Sequence, residues 1–139
     1  MKHKIKNNYN DLVVSCISVI SSNALENVYN QIADVHGHLS QHFEQFELLF
    51  IAKTPDDLIY SEFDKVFGHL PHLRLLKGSQ PLSKEIAISA AMESAIGDVI
   101  VVWEVGRDTK ESIIDVAELV LNNNPVVMGE TKHLRSIPY

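Results

Sequence analysis

The apolar positions of this chain change period repeatedly along its length. Leu12 to Ile20, LVVSCISVI, is almost continuously apolar and rich in β-branched residues, as in a strand covered on both faces. After Ser21, Ser22 and Asn23 the spacing lengthens. Leu25, Val28, Tyr29, Ile32, Val35, Leu39 and Phe43 recur at three- and four-residue steps, which predicts a long helix to about Glu44. Asn23 with Glu26 three residues on reads as its capping box. Phe46 to Ala52 returns to a strand pattern. Leu58, Ile59, Phe63, Val66 and Phe67 then mark a second helix. Its entry, Thr54-Pro55-Asp56-Asp57, reads as a cap, a proline at the first helical position and two acids facing the helix dipole. Leu73 to Leu76 is a short third strand.

The next stretch, Pro81 to Glu104, organises the rest. Ser83 caps a helix in which Ile86, Ala87, Ala90, Ala91 and Ala95 form a narrow small-residue face, expected to sit close on a sheet. Gly97 is expected to stop this helix, and Val99 to Trp103 to be a buried strand. Asp108 and Glu111 read as the capping pair of a last helix, carrying Ile113, Ile114, Ala117, Leu119 and Val120. Asn122-Asn123-Asn124 ends it, and a last strand, Val126 to Met128, follows Pro125. Strands alternating with helices predict a three-layer α/β/α domain with a mostly parallel sheet. Cys16, Leu49, Val101 and Val126 are expected in central strands. The expected organisation is a polar tail over 1–11, a domain over 12–130 and a C-terminal tail over 131–139. Ligands of such sheets bind at the carboxyl ends of the strands, where strand order reverses.

Composition narrows the function classes. A chain of 139 residues suits one domain with one core. The net charge of -6 excludes a general nucleic-acid binder, which needs a basic surface. The basic cluster Lys2, His3, Lys4 and Lys6 reads as a solvated tail. Cys16 is the sole cysteine, so no intrachain disulfide can form, and the expected location is cytoplasmic. The lysines before LVVSCISVI imitate a secretion signal. However, Asp11 interrupts the approach, and fewer apolar residues precede Cys16 than the ~7–15 such a signal needs.

Leu82 to Glu104 resembles a segment of the family 2 glycosyltransferases, A-x-N-x-G-x-x-x-A-x-G-D and the strand after it. Ala87, Ala95, Gly97 and Asp98 match, while Ser89 and Ala91 stand where Asn and Gly are usual. Strand one followed by Asn23 resembles the family's P-x-Y-N-E opening, with Ile20 and Ser22 in place of Pro and Tyr. Over Leu12 to Glu130 the chain is similar to the N-terminal, nucleotide-sugar-binding half of such an enzyme. The resemblance implies the GT-A fold, and an activity that moves a sugar from a nucleotide-diphospho-sugar to a polysaccharide or lipid acceptor. It places a nucleotide-binding remnant at Ser21, Ser22, Ala52, Lys53 and Glu104. In the resembled family, acids after strand two help hold the nucleotide, and an Asp-x-Asp after strand four carries Mn²⁺ or Mg²⁺ with the diphosphate. Here Ala52 and Lys53 replace the first pair, and Glu104-Val105-Gly106 keeps one carboxylate of the second. The expectations are therefore no metal, weak nucleotide-sugar binding and no sugar transfer by this chain alone. A missing second half, carrying the acceptor site and any membrane attachment, and a homodimer of the isolated chain are also expected. The alternative is a non-catalytic binding or assembly module that keeps the fold and has lost the donor chemistry.

Each candidate has a plainer reading. Glu104 is a remnant contact or a polar strand end. Lys53 meets a phosphate directly or is solvated. Asp108 takes over the lost acid's role or caps a helix, and Asp56 and Asp57 are first-turn acids rather than a metal pair. His38 and His42 share a helix face four residues apart, and His36 lies nearby, but no third ligand is evident for a transition metal. Cys16 is a small core hydrophobe.

Overall fold

A computed structural model describes residues 12–21, 25–54, 56–122, 127–128 and 135–138, with backbone alone for 25–27, 127–128 and 135–138. The elements in chain order are β1 (Val14–Ile20), α1 (Leu25–His42), β2 (Phe46–Ala52), α2 (Asp57–Phe67), β3 (Leu73–Leu76), α3 (Lys84–Ser94), β4 (Val99–Val102), α4 (Lys110–Leu121), β5 (Val127–Met128) and β6 (Arg135–Pro138). They build a six-stranded sheet in the order β3-β2-β1-β4-β6-β5. β3, β2, β1 and β4 are mutually parallel, while β6 runs antiparallel to β4 and to β5. The chain winds outward from β1 to β3, then crosses back to place β4 on the other side of β1. The reversal of strand order therefore falls between β1 and β4, where such sheets open a crevice.

The alternation of side chains along each strand divides the core in two. Cys16, Leu48 and Val101 are register partners and belong to a large cluster with Ile32, Val35 and Leu39 of α1, Ile59, Phe63 and Phe67 of α2, and Ile113 and Ala117 of α4. Ile17 and Leu49 point to the opposite face, against Ala87 and Ala91 of α3. The expected three layers are present, with one face carrying three helices and the other the alanine-faced α3. Each large side chain withdrawn in this way contributes roughly 1.5–3 kcal/mol. Cys16 is fully enclosed, and its thiol pKa is pushed well above the ordinary range, first by burial and then by the charge of Glu47.

Several local expectations shift. Ser83 does cap α3, accepting from Ile86 N–H at 3.2 Å, but α3 ends at Ser94, before Gly97, and Ile86 is 58% exposed rather than on the packed face. The cap of α2 is Asp56, not Thr54: its Oδ1 accepts from Leu58 N–H at 2.8 Å. The cap of α4 is Thr109, not Asp108. β6 lies inside the stretch 131–139 expected as a tail, and it separates β4 from β5, so β5 is an edge strand and not a central one. Val126 and the Asn23–Glu26 capping box lie wholly or partly outside the described residues.

The amino ends of the parallel strands are closed by a buried polar network. Glu47 on β2 is 4% exposed. Its Oε2 accepts from Ser15 Oγ at 2.7 Å and from Ile96 N–H at 2.9 Å. Its Oε1 accepts from Arg74 Nε at 3.1 Å and Nη2 at 2.9 Å. Gly97 N–H donates to Ser15 Oγ at 2.8 Å. The link between α3 and β4 presses so closely on β1 that a Cβ at Gly97 would lie 2.5 Å from Ser15 Oγ and 2.7 Å from Ser15 N. Asp98 completes the seal, accepting from Val13 N–H at 2.9 Å. The Gly97-Asp98 pair thus joins two segments of backbone.

Candidate functional site

The carboxyl ends of the strands open into a crevice of about 210 Å³ lined by Ser21, Lys53, Lys84, Ile88, Trp103 and Glu104, together with the ends of β1 and β4. Its position follows from the strand reversal between β1 and β4. Lys53 is held by its backbone: its N–H donates to Ile20 O at 3.0 Å, and its carbonyl accepts from Leu82 N–H at 2.9 Å. The second bond brings in the loop before α3, so the capped N-terminus of that helix, and Lys84 with it, borders the opening. The positive end of the helix dipole adds to the two lysines.

Glu104 stands where β4 gives way to a tight turn. Arg107 and Asp108 both donate backbone N–H to Glu104 O, at 3.1 and 3.0 Å. Asp108, 5% exposed, turns inward, and its Oδ2 accepts from Glu104 N–H at 2.7 Å. Gly106, within the turn, has φ 95, a backbone that side chains rarely adopt. The glycine at the position of the resembled family's second acid is therefore favoured by this turn. The Glu104 carboxylate meets Lys84 Nζ at 3.7 Å and Arg107 Nη1 at 3.5 Å through one oxygen, Oε1.

This donor set does not fit a hard divalent ion, which wants several oxygen ligands. Glu104 is shared between two cations, Gly106 offers no side chain, and Asp108 is committed to the turn. Among the described residues, no group of three or more His, Cys, Asp or Glu is arranged to hold a metal. His38 and His42 are ring neighbours at 4.6 Å, with His42 Nδ1 3.0 Å from His38 O, and no third ligand joins them. The crevice instead offers cations to an anion.

Of the residues expected at the site, Ser21, Lys53 and Glu104 come together around the crevice. Ala52 is 1% exposed and belongs to the core behind it, and Ser22 lies outside the described residues. Lys84 and Arg107 were not expected; the nearest signal was Ser83, the cap that sets Lys84 at a helix start. Ser18 and Trp103 also line the crevice, and both are nearly fully buried. Ser18 Oγ and Trp103 Nε1 have no hydrogen-bond partner among the described residues. Buried polar groups left in that state are commonly completed by water or a bound group.

The architecture, with its strand reversal, is a GT-A-like fold. Two solved structures carry that comparison. A mannosyltransferase from Pyrobaculum calidifontis, in complex with GDP-mannose and Mn²⁺, superposes with a TM-score of 0.61 at 15% identity, covering 82% of this chain and 33% of that one. A protein of Desulfovibrio desulfuricans G20 assigned as a nucleotide-diphospho-sugar transferase superposes with a TM-score of 0.59 at 13% identity, covering 90% of this chain and 63% of that one. The chain thus spans about a third of the first and under two thirds of the second. No family model and no curated protein matches the sequence. No helix among the described residues is long and apolar enough to cross a membrane.

Proposed function

We propose that this chain is a glycosyltransferase-type domain that admits a nucleotide-diphospho-sugar weakly and without a divalent ion, and that it transfers no sugar by itself. The observation that carries the reading is the crevice at the strand reversal, which lies where a donor site would and, among the described residues, presents Lys53 and Lys84 with a single carboxylate. In an intact relative, sugar transfer needs an acceptor held against the donor and charge stabilisation on the leaving diphosphate. The lysines and the α3 dipole supply part of the second. In an enzyme of this type the acceptor, a polysaccharide or lipid at the inner face of a membrane, would be held by residues outside this crevice. A cytoplasmic homodimer is proposed for the isolated chain, mated along an edge of the sheet at β3 or β5, since an open edge offers unpaired backbone groups.

The rival reading is a non-catalytic binding or assembly module. It is favoured by one specific feature, the turn at Gly106, whose positive φ disfavours a second acid. Titration calorimetry with UDP- and GDP-sugars, with and without Mn²⁺, tests the first reading. The expected outcome is binding in the range of roughly 0.1–1 mM, unchanged by Mn²⁺. Low-micromolar binding that needs Mn²⁺ would assign Glu104 and Asp108 the metal role denied to them above. No binding of any nucleotide sugar would leave the assembly module as the reading. Light scattering that finds a monomer at high micromolar concentration would remove the dimer.

A further inference from the structure

The crevice holds an unequal arrangement of charge in a chain of net charge -6. Lys84 lines it from the start of α3, and, among the described residues, Lys53 lines it without an ion pair and Glu104 is the one carboxylate on its wall. Arg107 lies outside the crevice and reaches the same carboxylate oxygen as Lys84, at 3.5 Å against 3.7 Å. Both distances exceed the ~2.7–2.9 Å of a strong charge-assisted hydrogen bond. The Lys84, Arg107 and Glu104 side chains are 57%, 51% and 36% exposed, so the pairs are weak and exchange readily with solvent or with another anion.

We propose that Lys53 and Lys84 form a metal-independent diphosphate clamp, that Glu104 occupies Lys84 in its absence, and that Arg107 receives Glu104 when a diphosphate takes its place. The proposal rests on reading this crevice as the place of a diphosphate. Its physical basis is a carboxylate placed between two cations, only one of which faces the ligand. A diphosphate brings more negative charge than a carboxylate and accepts hydrogen bonds at more oxygens, so it displaces Glu104 from Lys84 and recruits Lys53. Arg107 lowers the cost of that displacement by keeping the carboxylate paired. The two lysines then bring the positive charge that the donor set cannot obtain from a divalent ion.

The signature is a sign. A carboxylate that served a metal-bound diphosphate would lose binding on neutralisation, whereas one that competes for Lys84 would improve it. Calorimetry on the full chain with inorganic pyrophosphate in EDTA measures this for wild type, Glu104→Gln, Lys84→Ala, the double variant, Lys53→Ala and Arg107→Ala. Glu104→Gln is expected to bind roughly two- to fivefold more tightly, the size of the one weak exposed pair that competes for Lys84. Lys84→Ala and Lys53→Ala are each expected to weaken binding by about tenfold, a lost charge-assisted contact. The gain from Glu104→Gln should vanish when Lys84 is already alanine. Arg107→Ala should weaken binding although Arg107 does not touch the ligand. A Glu104→Gln variant that binds pyrophosphate equally or less well overturns the proposal. So does a gain that persists without Lys84, or wild-type binding that requires Mn²⁺. UDP- and GDP-sugars, run in parallel, separate the two levels. Nucleotide sugars that bind without this pyrophosphate pattern keep the donor-site reading and discard the clamp. The full pattern with nucleotide sugars no tighter than pyrophosphate keeps the clamp and discards the donor site.

Discussion

The two ends of the sheet each hold a glutamate paired with arginine, and they use it oppositely. At the amino end Glu47 is enclosed, and both its oxygens accept short hydrogen bonds from Ser15, Ile96 and Arg74. At the carboxyl end Glu104 is more than a third exposed and touches Lys84 and Arg107 at longer range through one oxygen. The same chemical pair makes a fastening where the geometry is saturated and an exchangeable contact where it is not. Each end also carries a glycine for a different reason. Gly97 lacks a side chain because β1 is too near, and Gly106 because its backbone turns through φ 95.

Truncating the two glutamates is the strongest way to break this comparison. Glu47→Ala removes the acceptor of the half-exposed Arg74 and leaves the Ile96 N–H and the Ser15 hydroxyl without one, so a loss of about 2–4 kcal/mol is expected in urea unfolding. Glu104→Ala, at an exposed pair, should cost no more than about 0.5 kcal/mol. Equal losses at the two sites would abolish the distinction. The glycines give the next effect. Gly97→Ala forces a Cβ against the Ser15 backbone and should cost roughly 1–3 kcal/mol by overpacking, read in the same way. Gly106→Asp should cost roughly 1–2 kcal/mol from the positive φ and should not confer Mn²⁺ binding, as checked by calorimetry. Tight Mn²⁺ binding by that variant would show that the turn yields to a second carboxylate.

The smallest effect lies between the two ends, where α1 meets α4. The His38 pKa is held below the ordinary 6.5, first by burial, then by His42 and Lys110, against the opposing pull of Glu111 and Asp34. The unfolded chain therefore binds a proton at His38 more readily than the folded one. Stability from this group is complete above about pH 6.5 and is lost as pH falls from there through the lower folded value. His38→Gln should flatten that part of the stability profile. An unchanged slope would move the titration to another group.

The elements of the fold were legible because each announces itself over a local window. α1 repeats its buried Ile32, Val35 and Leu39 on one face, and β2 is an apolar run broken only at Glu47. β6 was not legible: a four-residue antiparallel strand with arginine, serine and proline has no apolar pattern, and its pairing with β4 is fixed by distant residues. The caps of α2 and α4 moved because neighbouring residues were equally able to cap, and local backbone geometry chose Asp56 and Thr109. Glu47 looked like an ordinary polar position in FELLFIA. Its meaning depends on Arg74, 27 residues later. At the crevice, Ser21, Lys53 and Glu104 could be named because the family resemblance points to them and they follow strand ends, where the topology gathers side chains. Lys84 and Arg107 could not, since only the folded turn brings both to one carboxylate.

The direction of β6 has a practical consequence. Arg135 pairs with Val102 near the crevice, and Pro138 pairs with Val99 at the closed end of the sheet. The backbone thus travels about 10 Å away from the opening, at roughly 3.3 Å per residue. A peptide handle joined beyond Pro138 would leave from the sealed side of the molecule. Immobilised on a sensor surface by such a handle, the protein would present its crevice outward, whereas one tethered through the Lys53 or Lys84 amine would be blocked at the mouth.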